Sequence, residues 1–510
     1  MLEYILGGFV DTFTITNLLM VFAGTFVGIV FGAIPGLSTD LAVILFLPIT
    51  FTMDILPSIL LLLGIYCGGT YGGSITAILI GTPGTNVAVA TVFDGYPLAK
   101  KGYAKKALGM ALYASTIGGF ISALLLLFTA PFISEFVLKF GPPEYFCLAA
   151  FGISVIAGVS GNSLFRGIIM GCFGFFVSTI GVDSASGATR FTFGNVFLMK
   201  GLGLLPVLLG VFALPNILNQ MYAKGYLKSF SNTSKLSKTD NLTKEDKKRC
   251  RPIIMKSTVI GSIIGAIPGA GAGIAAFMAY NEAKRTSKCS QLYGEGELEG
   301  IAAPEAANNA VTGCSLIPLF TLGIPGSVVA ALLIGAFTMQ GLTPGPTLFR
   351  TQGPLMYAIM VGLIVCNIAM WIEGKYMLKF FAQISKVPQP VLFTSLALFC
   401  VAGSFSFSNN MFDVYVLLIF GIIMFLIQRL GFPGAPFVLG IILGPLMESN
   451  LANSLVMSDG SWFIFFQRPI SVVIMLITIF FTAYSVLKTR QMKKDGAKQT
   501  GEDEATALED

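Results

Sequence analysis

The pentapeptide GAIPG occurs twice in this chain, at Gly32–Gly36 and at Gly265–Gly269, each time within a long apolar stretch. After a further apolar stretch each copy is followed by a break of the form GxPG[TS]: Gly81-Thr82-Pro83-Gly84-Thr85, then Gly323-Ile324-Pro325-Gly326-Ser327. A unit with two breaks is therefore used twice. Proline removes a backbone donor and clashes with the preceding turn, and glycine reaches angles that let the chain leave a helix. In hydrocarbon the freed N–H and C=O groups find no water, so they must face protein, a water-filled cavity or a ligand. Interrupted apolar segments at matching places in two halves are the sequence mark of a transporter's binding site.

The surrounding segments are apolar enough for a bilayer. Only 11% of the residues are charged, where a soluble protein carries about 25%. Runs near 55–80, 107–130, 355–373, 413–428 and 470–487 are long enough to cross ~30 Å of hydrocarbon. The expectation is an all-α polytopic membrane protein with about ten to twelve membrane segments in two inverted repeats, each with two Gly/Pro helix breaks or re-entrant segments. The first Lys or Arg is Lys100. No basic region precedes an apolar core, no cleavable signal peptide is expected, and Met1–Thr16 reads as a short arm in the interface.

The polar residues exclude several functions. Histidine is absent, which argues against His-dependent metal or proton chemistry and b-type haem ligation. The eight cysteines show no CxxC or metal spacing and read as free thiols. With no HExxH and no nucleophile elbow, no catalytic residue, metal centre or cofactor is expected beyond a coupling cation, Na+ or H+. The net charge of +6 supports no nucleic-acid partner; the expected surroundings are lipid.

Charge also organises the chain. The basic stretch Tyr222–Arg251 reads as cytoplasmic, as do Lys100, Lys101, Lys105 and Lys106. The expected divisions are an N-terminal repeat half (1–221), a basic cytoplasmic linker (222–252), a C-terminal repeat half (253–487) and a disordered cytoplasmic tail (488–510). The second unit starts beside the cytoplasmic linker, whereas the first follows an arm with Glu3, Asp11 and no basic residue. The two units would then lie antiparallel. Glycines recur every fourth residue at Gly24, Gly28, Gly32 and Gly36, and again at Gly261, Gly265, Gly269 and Gly273. This spacing forms a seam where another helix approaches closely. Packing accounts for Gly24, Gly28 and Gly261; Gly36 and Gly269, beside proline, read as site residues.

The breaks supply four clusters of small residues: Pro35, Gly36, Ser38 and Thr39; Pro83, Gly84, Thr85 and Asn86; Pro268, Gly269 and Gly271; Pro325, Gly326 and Ser327. Each precedes a segment that resumes helical character. Unpaired N–H groups there suit a carboxylate, and freed carbonyls suit a cation. The hydroxyls are also ordinary helix caps, so sequence does not separate capping from binding. Asn308 and Asn309 enter an apolar helix and read as a site or a packing network. Glu305 after Pro304 reads as complementing a helix start. Asp94-Gly95-Tyr96-Pro97 reads as a turn. Asp40, Arg166, Glu373 and Glu448 are isolated charges in apolar context, each expected to face water, a partner charge or the interface.

The stretches GGTYGGSITAILIGTPGT (Gly68–Thr85), DGYPLAKKGYAKKALG (Asp94–Gly109), GEGELEGIAAPEAANNA (Gly294–Ala310) and LGIPGSVVAALLIGAFTMQGLTPGP (Leu322–Pro346) make the chain resemble the large membrane subunit of tripartite tricarboxylate transporters, the TctA family. The resemblance covers nearly all of the membrane portion. It implies cation-driven uptake of tricarboxylates or related carboxylates across the cell (inner) membrane. It also implies a small membrane subunit (TctB-like) and a periplasmic or lipid-anchored solute-binding protein (TctC-like). It departs at Gly81, where relatives commonly carry Asn, and at Asp40, where they carry small or apolar residues. The competing reading is an unrelated ion-coupled carrier or channel built on inverted repeats.

Overall fold

The computed structural model describes residues 2–159, 164–183, 186–222, 241–269, 271–378, 380–381, 389–480 and 482–483. Most of the basic linker and the tail lie outside them. The chain opens with α1 (Leu2–Thr12), α2 (Ile15–Gly32), α3 (Thr39–Thr50), α4 (Ile55–Ile80), α5 (Val89–Leu98) and α6 (Ala104–Val137). Then come α7 (Pro142–Val159), α8 (Leu164–Ser178) and two short strands, β1 (Gly181–Val182) and β2 (Thr189–Arg190). Next come α9 (Leu204–Leu208), α10 (Leu214–Tyr222), α11 (Lys244–Ala266), α12 (Gly271–Thr286), α13 (Leu298–Cys314), α14 (Leu316–Leu322) and α15 (Val328–Met339). The chain continues with α16 (Pro346–Thr351), α17 (Gly353–Tyr376), α18 (Gln389–Ser408), α19 (Met411–Arg429), α20 (Gly434–Met457) and α21 (Ile464–Gln467). Seven helical segments are long and apolar enough to cross a membrane, and five shorter apolar helices accompany them among the described residues. The protein is polytopic and largely, not wholly, α-helical: β1 and β2 pair antiparallel, Gly181 opposite Arg190.

Two compact units emerge, 1–139 with 203–425, and 140–202 with 426–510. In the first, α2 lies along α4 and α11 along α13. The glycine seams explain the closeness. A Cβ at Gly24, Gly28 or Gly32 would collide with the carbonyls of Leu61, Ile65 or Gly69, and one at Gly261 with that of Ala307. Small residues at such crossings let backbones touch where lipid gives no hydrophobic drive for association. α6 packs along α13, with Gly118 against Ala306, while α17 packs along α4, with Gly362 against Leu60. In the second unit α8 and α20 meet through Gly174 and Gly440. There Glu448 pairs with Arg190, Nη2 to Oε2 at 3.0 Å, and Arg166 Nη1 donates to the Gly431 carbonyl at 3.5 Å.

Three local expectations change. The arm is a helix: Tyr4 stacks on Tyr357 of α17 with ring centroids 5.6 Å apart, and the Thr12 hydroxyl donates to the Ala358 carbonyl at 3.0 Å. Asp94-Gly95-Tyr96-Pro97 is the second half of α5, with Pro97 inside the helix. Glu305 lies seven residues into α13 and is fully buried, so it does not complement a helix start. The end of the basic stretch, Lys244–Arg251, forms the first turns of α11, which a capping box between Thr243 and Asp246 opens.

Candidate functional site

The four breaks meet in pairs, all within the first unit. α2 ends at Gly32, the chain turns at Gly36 with φ +90°, and the Ser38 hydroxyl caps α3 by accepting from Leu41 N at 3.1 Å. α4 ends at Gly81, whose left-handed φ of +74° favours glycine, and whose missing Cβ would strike the Tyr96 ring. The following Gly84 donates its N–H to Gly73 O at 3.2 Å and lies directly on the Gly32 carbonyl. The second break thus closes over the first. Thr39 rests on Gly69 and Thr85 on Gly73, one turn apart on the same face of α4.

The other pair repeats the geometry. Gly269 N donates to Gly326 O at 3.1 Å, and Gly326 lies against the carbonyls of Ser315 and Gly265. The Ser327 hydroxyl caps α15, accepting from Ala330 N at 3.1 Å. Shifting by 242 residues carries Gly73, Gly84 and Thr85 onto Ser315, Gly326 and Ser327, and shifting by 233 carries Gly32 onto Gly265. Pro35, Pro83, Pro268 and Pro325 stand one residue before these glycines or their partners in the turns. Gly271, with φ +75°, has open space where a Cβ would be, and the Asn86 side chain is exposed.

The hydroxyls separate into caps and others. Ser38 and Ser327 cap helices, whereas Thr85 precedes the 3-10 turn Asn86–Ala88 without a side-chain cap bond. The Ser327 hydroxyl is also 3.4 Å from that of Ser315, and the Tyr66 hydroxyl lies 3.2 Å from both. Tyr66 belongs to α4, so a side chain from before the second break reaches the fourth.

Buried polar groups line the bundle beside the breaks. Glu305 accepts from the Thr91 hydroxyl at 2.5 Å and the Ser115 hydroxyl at 2.8 Å, which ties α13 to α5 and α6. Asn309 Nδ2 donates to Asn308 Oδ1 at 2.6 Å and to Glu305 O at 3.1 Å. The Asn308 amide faces the Glu305 carboxyl, whereas Thr85 Oγ1 and Asn309 Oδ1 are buried without a hydrogen-bond partner among the described residues. A buried polar group left unpaired costs about 1–3 kcal/mol. Asp40, near Tyr66, is partly accessible and forms no hydrogen bond or ion pair among the described residues.

Farther along α5, Asp94 is a structural hub. One carboxyl oxygen accepts the N–H groups of Gly294, Gly296 and Glu297 at 2.8–2.9 Å; the other accepts from the Tyr280 hydroxyl at 2.9 Å. Burial, together with this carboxylate, pushes the Tyr280 hydroxyl above its ordinary range. Lys101 Nζ donates to Glu295 O at 2.7 Å. The motifs DGYPLAKKG and GEGELEG therefore clasp each other.

Sequence reading did not find Tyr66, Ser315, Thr91 and Ser115. The first two carried a usable signal. Tyr66 stands 242 residues before Asn308 and Ser315 242 residues after Gly73, the same register that relates the second breaks.

A model of the tripartite tricarboxylate transporter TctA family matches residues 18–439. A protein of Agrobacterium vitis, named as an uncharacterized 52.8 kDa protein in the TAR-I ttuC' 3' region, is 35% identical over 490 residues, 96% of this chain and 97% of its own length. Another from that organism, named as an uncharacterized protein in the TAR-II ttuC' 3' region, is 35% identical over 235 residues, 46% of this chain and 97% of its own. No solved structure matches the chain.

Proposed function

This chain belongs to the tripartite tricarboxylate transporter TctA family, and from that premise we propose that it imports a tricarboxylate or related carboxylate together with a cation. As a family member it is a membrane-embedded transporter subunit and not an enzyme. Members of the family pair with TctB and TctC subunits. In our reading the chain works in the cell (inner) membrane with a TctB-like small membrane subunit and a TctC-like solute-binding protein that delivers the carboxylate.

The observation that carries the reading is the pairing of the breaks. Gly84 lies on Gly32 and Gly326 on Gly265, with hydroxyls and amides buried alongside. Freed carbonyls and hydroxyls would hold a sodium ion, and the donors a carboxylate. The solute and ion site would draw on Pro35, Gly36, Ser38, Thr39, Pro83, Gly84, Thr85, Asn86, Pro268, Gly269, Gly271, Asn308, Asn309, Pro325, Gly326 and Ser327. The matching registers, and the exchange of α6 and α17 between halves, support two inverted repeats. The five shorter apolar helices among the described residues would then bring the seven longer segments within the expected ten to twelve.

The test is reconstitution in vesicles with the small subunit and the binding protein, followed by citrate and dicarboxylate uptake. Uptake that needs the binding protein is expected. Equal uptake without it would overturn the tripartite assignment, and no uptake of any carboxylate would overturn the transport reading.

A further inference from the structure

Three hydroxyls meet at the fourth break. Tyr66 Oη lies 3.2 Å from Ser315 Oγ and 3.2 Å from Ser327 Oγ, and the two serine oxygens are 3.4 Å apart. Every edge exceeds the about 2.5–3.0 Å of an ordinary O–H···O hydrogen bond, so the three serve one another poorly as partners. The spacing suits a different arrangement. Oxygens held about 2.3–2.6 Å from a cation the size of calcium, at the corners of an octahedron, lie about 3.3–3.7 Å from their neighbours. Sodium is nearly that size, so the triangle is close to one face of its shell. Lone pairs can turn toward that face. The Ser315 hydroxyl has an outlet for its proton in the Thr312 carbonyl at 3.5 Å, and the Ser327 oxygen takes the Ala330 N–H at 3.1 Å. Two carbonyls stand beside the hydroxyls: a Cβ at Gly326 would lie 2.6 Å from Ser315 O and 3.0 Å from Gly265 O. The turn after α11 offers the Gly265 carbonyl no donor, because Pro268 has no N–H and Gly269 N donates to Gly326 O.

We propose that the hydroxyls of Tyr66, Ser315 and Ser327 hold the coupling sodium ion, with the Gly265 and Ser315 carbonyls as its nearest further ligands. The proposal rests on the reading of the chain as a cation-coupled carrier and names the ion's site. The ligands choose the ion. Hydroxyls and carbonyls carry no net charge, so a divalent ion would go uncompensated here, and among the described residues no three His, Cys, Asp or Glu gather to hold one. Asp40, the partly accessible carboxyl near Tyr66, adds a negative potential from outside the triangle. Tyr66 and Ser315 are buried, whereas Ser327 is partly accessible and leaves the ion an entrance. In the first pair of breaks Gly73 occupies the place of Ser315 and carries no hydroxyl, which makes the two pairs unequal as cation sites.

The test is thermal melting of the purified full-length chain across a sodium chloride series, with choline chloride keeping the ionic strength fixed. An ion that binds the folded state raises the melting temperature with its concentration, so the half-maximal sodium concentration reads the affinity. Sodium should raise the melting temperature and potassium should not. Tyr66→Phe and Ser315→Ala each remove one oxygen, and each should raise the half-maximal sodium by about tenfold or more. Tyr71→Phe removes another buried tyrosine hydroxyl from the same helix and should leave it at the wild-type value. A wild-type sodium response in either Tyr66→Phe or Ser315→Ala would overturn the site. So would an equal response to potassium, an equal loss in Tyr71→Phe, or a wild-type chain indifferent to sodium. Failure of the carrier reading looks different: the reconstituted complex takes up no carboxylate, whatever sodium does to the melting temperature.

Discussion

At the scale of single residues, Asp94 shows why a familiar signal misleads. Asp-Gly-Tyr-Pro is turn chemistry when the aspartate bonds its own backbone. Here three N–H groups of residues 294–297 and the Tyr280 hydroxyl take both carboxyl oxygens, so the local alternative to helix disappears. Asp94→Ala should destabilise the protein by on the order of 3 kcal/mol, since it orphans buried donors, and Asp94→Asn by about 1 kcal/mol. Thermal unfolding of the purified chain measures both, and limited proteolysis should open the loop near Gly294 in the alanine variant alone. A stable Asp94→Ala protein would show that the loop stands without the clasp. A second residue has a sign that can be worked out. Hydrogen bonds from Arg285 and Lys256 hold the Glu282 carboxyl down at about 2, below its ordinary 4.5. A depressed carboxyl stabilises above its unfolded value and loses that contribution as pH falls from 4.5 toward 2. Glu282→Gln should therefore shift the melting temperature by the same small amount at pH 8 and pH 6; a difference that grows between those values would contradict the pairing.

Helices and breaks were legible to different degrees, and the reason is chemical. The breaks could be read because glycine and proline act through their own backbone, whatever surrounds them: Gly36, Gly81, Gly269 and Gly323 all take positive φ. The seams could be read because a period of four in glycine is a packing pattern. Tertiary partners were not legible. Glu305 is held by Thr91 and Ser115, and Tyr66 meets Ser315 and Ser327, and these partners lie far away in sequence. The short α1 was hidden because its stability comes from Tyr357 and Ala358, more than 340 residues on. Seam and open glycines should therefore respond in opposite ways. Gly28→Leu puts a side chain into the Ile65 carbonyl and should cost on the order of 3 kcal/mol, seen as lost monodisperse protein on size exclusion. Gly7, in α1 with nothing near its missing Cβ, should gain about 0.5 kcal/mol on replacement by alanine. Equal behaviour of the two variants would remove the seam from the account of α2 and α4.

For the whole molecule the open question of mechanism is what pays into the solute gradient, sodium or protons. A proton-coupled carrier needs a side chain in the path that binds and releases a proton. Without histidine the carboxyls are the candidates, and the structure thins them. Asp94 is engaged by three backbone N–H groups and the Tyr280 hydroxyl, Glu305 by two hydroxyls, and Glu448 by Arg190. Asp40, Glu373 and Asp413 keep a free carboxyl oxygen among the described residues. A sodium site needs only oxygens held at fixed distances, and the meeting breaks place the Gly32, Gly73, Gly265 and Ser315 carbonyls beside Gly84 and Gly326, with the Thr39 and Thr85 hydroxyls next to them. A bound cation would also offset the carboxylate's charge where the dielectric is low. Vesicles with an inward sodium gradient and no proton gradient should therefore accumulate citrate, and the reverse gradients should not. Accumulation driven by protons alone, with sodium without effect, would defeat the sodium reading. Asp40→Asn, Glu373→Gln and Asp413→Asn would then be the first variants to examine, because each of these carboxyls has an oxygen with no hydrogen-bonding partner among the described residues.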